Sequence, residues 1–253
     1  MQPKALIEQI EKNSLLPDAD IDRFAGYAVI GLPFQSGHVL ALRRFPASSL
    51  GPGYTSVWHR DPCGTWTFYS TVAAEQSCSK YFGSEVEKSV HTNIQIVWAA
   101  PDTLQVLAEC SPRLTWEISL TETVASRLMN FVARRLPDSC WRKRFMLSFM
   151  GLAARVVLGT GKMNLAGRTP NGHEFIANPK QVWLVKSSRA VVDGVDLGPA
   201  GPLASQARLN EFLIPQRGIF AAASAFMQSP KSMSSAVIRR AGAHLDSADT
   251  QRI

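Results

Sequence analysis

The stretch YTSVWHRDPCGTWTFYST, Tyr54 to Thr71, decides how this chain is read. Two runs rich in aromatic and β-branched residues flank Asp61-Pro62-Cys63-Gly64-Thr65, and such runs around a turn signal form a β-hairpin. Proline presets the first loop residue and Gly64 can adopt the left-handed backbone of a G1 bulge. The spacing therefore predicts a three-residue loop with Asp61 opposite Thr65 and His59 opposite Thr67. The other register, Arg60 opposite Thr65, would exchange the two faces of the hairpin. In the expected register Trp58, Arg60, Trp66 and Phe68 share one face, where Arg60 could stack on an indole. His59, Asp61 and Tyr69 share the other face with Val57 and Thr67. Thr169-Pro170-Asn171-Gly172-His173 repeats the same turn chemistry.

Outward from the hairpin, β signals run from Tyr27 to Thr121. YAVIGLPF and HVLALRRF are apolar runs broken by Gly31-Leu32-Pro33 and Ser36-Gly37, which read as turns. AAEQSCSKYFG, ending at Gly83, reads as a short helix with a glycine stop. NIQIVW and TLQVLAE are two arms around Ala100-Pro101-Asp102. In RLTWEISLT, Leu114, Trp116, Ile118 and Leu120 alternate with polar residues, the pattern of a half-buried strand. GKMNLAGRTPNGHEFIA and QVWLVKSSRAVVDG are further β segments. LIPQRGIFAAASAFM fits a last strand or a helix equally well.

Between these two β regions the period changes. VASRLMNFVARRL places Val124, Leu128, Phe131, Val132 and Leu136 on one helical face with arginines outside. WRKRFMLSFMGLAARVVL is apolar almost all round from Phe145 to Leu158, so protein, a ligand or lipid must cover it. It is too short and too basic for a comfortable membrane span. Seven basic residues stand between Val124 and Leu158 against Asp138 alone, most of the chain's formal charge of +7. Nucleic-acid binders spread base-stacking aromatics among such charges on a sheet or loop. Here the cations sit in apolar helices, which points away from nucleic acid. Arg142, Lys143 and Arg144 suit peripheral contact with a membrane instead.

The organisation expected is an N-terminal amphipathic helix within residues 1–23, one β-barrel-like domain over 24–227 carrying a helical insertion at 124–158, and a partly ordered tail over 228–253. The fold class is α+β, mostly an antiparallel β-barrel or cone. The apolar start is interrupted by acids and does not read as a signal peptide, so a cytoplasmic location, membrane-associated or not, is the default. Cys63, Cys78, Cys110 and Cys140 are scattered without metal-ligand spacing, so neither zinc nor a disulfide framework is expected. No nucleotide motif is present, and no cofactor is expected. His59-Arg60-Asp61 also matches the triplet of the protein-kinase catalytic loop, but lacks the downstream Asn and any Gly-rich phosphate loop.

From Gly53 to about Leu120 the order of features resembles the acetoacetate decarboxylase-like family: YTSVWHRD and TWTFYSTV as strand and return strand, the step AAEQSCSKYFGSEVEK, then NIQIVW paired with TLQVLAE. The resemblance implies a closed β-barrel or cone, and a Schiff-base lysine shortly after the glycine of the helical step. Here the positions after Gly83 read Ser84-Glu85-Val86, and the nearest lysine is Lys88. Glu85 and Glu87 flank it and favour the charged, non-nucleophilic amine. A lipocalin-like barrel is the competing fold.

The function read from these residues is binding of a small, partly apolar organic ligand in a barrel cavity. Turnover without metal or nucleotide follows, of decarboxylase, hydratase, isomerase or cyclase type. Arg60 would hold a carboxylate or polarise a carbonyl, His59 or Glu85 would move a proton, and Lys88 is the candidate amine. Trp58, Trp66, Phe68, Tyr81, Trp98, Trp116 and Trp183 would line the cavity. The alternatives are a non-catalytic carrier or sensor of a lipophilic molecule, and a homo-oligomer that uses the apolar helix as its interface.

Overall fold

In the computed structural model, which describes residues 2–109, 111–136 and 143–230, the chain opens with helix α1 (Pro3–Asn13). Strands β1 (Asp22–Pro33), β2 (Val39–Ser48), β3 (Tyr54–Arg60) and β4 (Trp66–Ser70) follow. A short helix α2 (Ser79–Phe82) precedes β5 (Lys88–His91), β6 (Ile94–Ala100), β7 (Thr103–Ala108) and β8 (Leu114–Thr121). Next come helices α3 (Val124–Arg135) and α4 (Arg144–Leu158), then β9 (Ala166–Arg168) and the 19-residue β10 (Glu174–Val192). The described chain ends with β11 (Val195–Asp196), β12 (Arg208–Leu209), β13 (Phe212–Leu213) and β14 (Ile219–Gln228). The class is α+β, as expected.

The hairpin forms in the expected register, with His59 opposite Thr67 and Arg60 opposite Trp66. Asp61 closes the loop twice: its backbone N–H donates to Thr65 O at 3.0 Å, and its Oδ1 accepts from Thr65 N at 2.8 Å. Gly64 has φ +100°, the left-handed conformation for which glycine is needed. The second loop of this type repeats it, with Thr169 N donating to His173 O at 2.8 Å and Gly172 at φ +80°.

Ten strands form one path in the order β5-β4-β3-β2-β1-β14-β10-β8-β7-β6. The sheet's two edges, β5 and β6, are joined through Thr92 and Asn93 alone. So short a link brings the edges together at one end, and the sheet curls into a half-barrel. The inner face shows the same closure. Leu42, Val57 and Tyr69 from one half share a hydrophobic cluster with Leu104, Val106 and Trp116 from the other. Helix α1 packs Ile7 into this cluster, and its full burial contributes roughly 1.5–3 kcal/mol. Glu11 fixes that helix, accepting from Tyr27 Oη at 2.8 Å and from Arg44 Nε and Nη2 at 2.9 and 2.8 Å.

Several local expectations are corrected. Gly31-Leu32-Pro33 is no turn but the end of β1, where the pairing with β2 shifts register between Val29 and Leu32. A Cβ on Gly31 would lie 2.5 Å from Ile214 Cγ2, so glycine there serves close packing. Gly83 does not stop the helical step: its φ of −58° is right-handed, and a 3-10 turn continues through Glu85. The ambiguous last segment is the strand β14, held between β1 and β10 near the middle of the sheet.

Over its described residues the insertion is helical as expected, in α3 and α4, but α3 faces the opposite way. Ser126, Asn130 and Ala133 are its buried residues, while Val124, Leu128, Phe131 and Val132 are exposed. Asn130 explains the inversion. Its side chain bonds the Val182 backbone in both directions, Nδ2 to O at 2.9 Å and N to Oδ1 at 2.8 Å, so polar pairing orients the helix. Arg142 and the tail beyond Pro230 lie outside the described residues.

Candidate functional site

Side chains alternate across the sheet, so β1, β14 and β10 contribute one set to the inner core and another to the outer face. On the outer face Ala28 stands opposite Ala221 and Ala177 opposite Ala225, and Ala223 stands opposite Gly26. Small side chains in adjacent strands leave a hollow. Phe82 and Cys78 from the helical step, Phe212 from β13 and Met163 from the segment after α4 line its rim, giving a mostly apolar cavity of about 90 Å³. The inner face of the half-barrel, where the ligand was expected, is largely packed side chains, with an open groove of about 490 Å³ beside α1 lined by Ile7, Tyr27, Ile94, Ile96 and Trp98, and the apolar cavity lies behind it.

Arg43 projects into this outer cavity from β2. It is 6% exposed and has no ion-pair partner among the described residues. Its Nη1 donates to Val29 O at 2.6 Å and Leu42 O at 2.9 Å, and Nη2 donates to Ile30 O at 2.9 Å. Those three bonds use three of a guanidinium's five N–H groups. The guanidinium lies 4.4 Å from the Trp58 ring centroid and 5.6 Å from that of Phe212. Burial lowers its pKa to about 10, which leaves it charged at neutral pH. Beside it the Tyr54 hydroxyl and the Cys78 thiol are 3.2 Å apart, and burial pushes both upward, so both stay protonated. The Trp58 indole N–H is buried and has no hydrogen-bond partner among the described residues.

The expected site residues fall into several places. Trp58, Trp66, Phe68 and Tyr81 join one aromatic cluster on the cavity side, with Trp58 and Phe68 stacked at 4.2 Å. Tyr81 Oη donates to Asp22 Oδ2 at 2.8 Å. Trp116 and Trp183 are buried on the inner face with Trp98 packed against them, so the tryptophans do not surround one ligand. Trp116 Nε1 donates to Ser188 Oγ at 2.8 Å, which marks it as a satisfied core residue. The cation stacked on an indole is Arg43, not Arg60, whose Nη1 lies 3.4 Å from Gly37 O and Asp61 O at the hairpin end. His59 pairs with His38: its Nε2 lies 2.9 Å from His38 Nδ1 and the rings stack at 5.2 Å, while the Asp61 carboxylate serves the turn.

Glu85 and Lys88 are exposed and lie outside the cavity lining. Glu85 Oε2 accepts from Asn210 N at 3.1 Å, and Lys88 Nζ stands 4.0 Å from Glu87 Oε1 with its side chain 69% exposed. Lys88→Ala is therefore expected to leave thermal stability within about 0.5 kcal/mol of the parent. Borohydride trapping with a keto acid is expected to leave no adduct on Lys88. A mass increment at that residue would contradict this placement.

Sequence reading passed over Arg43. The signal was present in HVLALRRF, because Val39, Ala41, Arg43 and Phe45 share one strand face and an arginine among apolar neighbours is out of place.

Fold and site together define a curled-sheet α+β protein with a buried, cationic, largely apolar cavity. No protein-family model matches the chain. No curated protein matches it either. Among solved structures it is similar to acetoacetate decarboxylase from Legionella pneumophila subsp. pneumophila str. Philadelphia 1, at 10% identity and a TM-score of 0.39, covering 85% of this chain and 87% of that one. A second acetoacetate decarboxylase structure gives 10% identity and a TM-score of 0.40, over 84% and 88% of the two chains. The resemblance is weak and partial, and the cavity itself is the guide to function.

Proposed function

We propose that this protein binds a small organic acid in the outer cavity, with the carboxylate on Arg43 and the apolar remainder against the alanines of β14 and the ring of Phe212. The observation that carries this reading is the buried guanidinium without a counter-ion among the described residues. A charge removed from water is strongly unfavourable unless paired, and an anion entering the cavity would supply the missing partner. Two guanidinium N–H groups remain for it, and charge-assisted bonds of that kind are the strong ones. A volume of about 90 Å³ suits a ligand of a few heavy atoms.

Turnover of that acid, of lyase or isomerase type, is the second half of the reading, and Cys78 supports it. Its thiol lines the cavity, is protonated, and could hand a proton to a bound ligand, with Tyr54 to restore it. A non-catalytic carrier is the competing reading. It is favoured by the fact that the Tyr54 and Cys78 pKa values move in the same direction, whereas acid–base sites usually hold groups pushed apart.

The test is calorimetric titration with short aliphatic and keto acids beside their amides and alcohols. Acids should bind and the neutral analogues should not. Ala225→Leu, which fills the cavity while keeping Arg43, should abolish binding with little change in melting temperature. Equal affinity for acid and alcohol, or undiminished binding to the filled variant, would exclude this site.

A further inference from the structure

Helix α3 turns its apolar face away from the sheet, and α4 carries apolar side chains outward as well as inward. Leu128, Phe131 and Val132 on α3, and Phe145, Phe149 and Val156 on α4, are all exposed at helical spacing. Phe149 is 65% and Val156 74% exposed. Scattered apolar residues on a surface are ordinary, but two neighbouring helices presenting such faces together define an interaction surface. The residues that anchor the helices are different ones. Leu147, Met150, Ala154 and Leu158 of α4 are buried, so the outward face is not needed to hold α4 on the sheet.

Charge identifies the partner. Arg127, Arg134, Arg135, Lys143, Arg144 and Arg155 are exposed in and beside these helices, and neither helix contains an acidic residue. Only Arg127 and Arg144 reach carboxylates among the described residues, Glu122 at 4.0 Å and Glu174 at 2.9 Å. A second copy docked face to face would set these cations against their own counterparts, which opposes a symmetric dimer. No described helix is long and apolar enough to cross a membrane. Apolar side chains flanked by cations on surface helices match the interface of an anionic bilayer, where rings and aliphatic groups enter the acyl boundary and arginines meet phosphates.

We propose that the α3–α4 surface seats this protein on anionic lipid membranes. The surface lies apart from Arg43, so this proposal stands or falls independently of the ligand reading. One contact links them in space: Gly151 of α4 packs so tightly on the segment lining the cavity that a Cβ there would lie 2.5 Å from Met163 O.

The experiment is co-sedimentation of the full chain with vesicles of phosphatidylcholine alone or mixed with phosphatidylglycerol. Binding to the mixed vesicles, weak binding to the neutral ones and release at high salt are expected. Phe149→Ser with Val156→Ser, and separately Arg127→Glu with Arg155→Glu, should each reduce the bound fraction about tenfold or more. Thermal unfolding should be unchanged, because all four side chains are exposed. Failure to sediment with any vesicle overturns the proposal, as does binding that survives both pairs of substitutions. A stable dimer that Phe149→Ser dissociates would give this surface to a second copy, and a pulled-down acidic protein released by the arginine reversals would give it to that protein. Either result overturns it too.

Discussion

Arg43→Met should lower the melting temperature by about 5–15 °C and remove all protection by organic acids. The bulge between β1 and β2 leaves the Val29 and Ile30 carbonyls turned toward Arg43, which bonds both. Charge-assisted bonds of this kind contribute about 1.5–3 kcal/mol each, and a buried cation–π contact about 2 kcal/mol. Methionine restores none of these. Against the loss stands relief from burying a charge. The fall of the Arg43 pKa from 12.5 to about 10 puts that relief at roughly 3 kcal/mol. The loss wins by a few kcal/mol, and each corresponds to about 2–4 °C in a chain of this size. Scanning calorimetry of parent and variant, with and without acid, reads both effects. An unchanged or raised midpoint would mean that the carbonyls find other donors and that Arg43 is held only for its ligand.

The second large effect concerns acid. Burial first, and then the neighbouring His38, press the His59 pKa from 6.5 to about 4, with Asp61 opposing them weakly. The unfolded chain therefore takes up a proton near pH 6.5 that the folded chain refuses until about pH 4. Neutral His59 contributes its full stability above pH 6.5, and the contribution is lost as pH falls from 6.5 toward 4. The loss is at most about 3 kcal/mol, because a tenfold change in proton affinity between folded and unfolded chain is worth about 1.36 kcal/mol. Burial lowers the His38 pKa as well, and its loss adds in the same direction. Melting temperatures between pH 7.5 and 4 should drop steeply for the parent and more gently for His59→Gln. Parallel curves would show that the pair does not govern acid sensitivity.

Much of the architecture was legible because its signals are local. The Pro-Cys-Gly loop allows one favoured register, and that register correctly divided Trp58, Trp66 and Phe68 from Val57 and Tyr69. What escaped depended on partners distant in sequence. The run Ala221-Ala222-Ala223 has helix-forming composition, and only pairing with β1 and β10 makes it a strand. For the same reason the cavity was unseen: alanines on one face look like weak β-formers until two strands set them side by side. The orientation of α3 was equally hidden, since its hydrophobic period is sound and a single contact between Asn130 and Val182 reverses it. Arg43 and Arg44 are adjacent, yet one is sealed beneath Trp58 and the other grips Glu11, a difference that only strand alternation could reveal.

The place of β14 has a consequence for biosynthesis. The last described strand is also the one that joins the two halves of the sheet, bonded to β1 on one side and to β10 on the other. Every earlier strand can leave the ribosome and find a local neighbour, but β1 and β10 keep bare edges until Ile219–Gln228 arrive. Such a chain completes its core late and through contacts of long sequence separation, a topology that folds slowly. During that interval the nascent protein exposes two unpaired strand edges, and a stop codon before Ile219 would leave the two half-sheets joined only by the Thr92-Asn93 link and the shared inner core, with β1 and β10 both unpaired on that side.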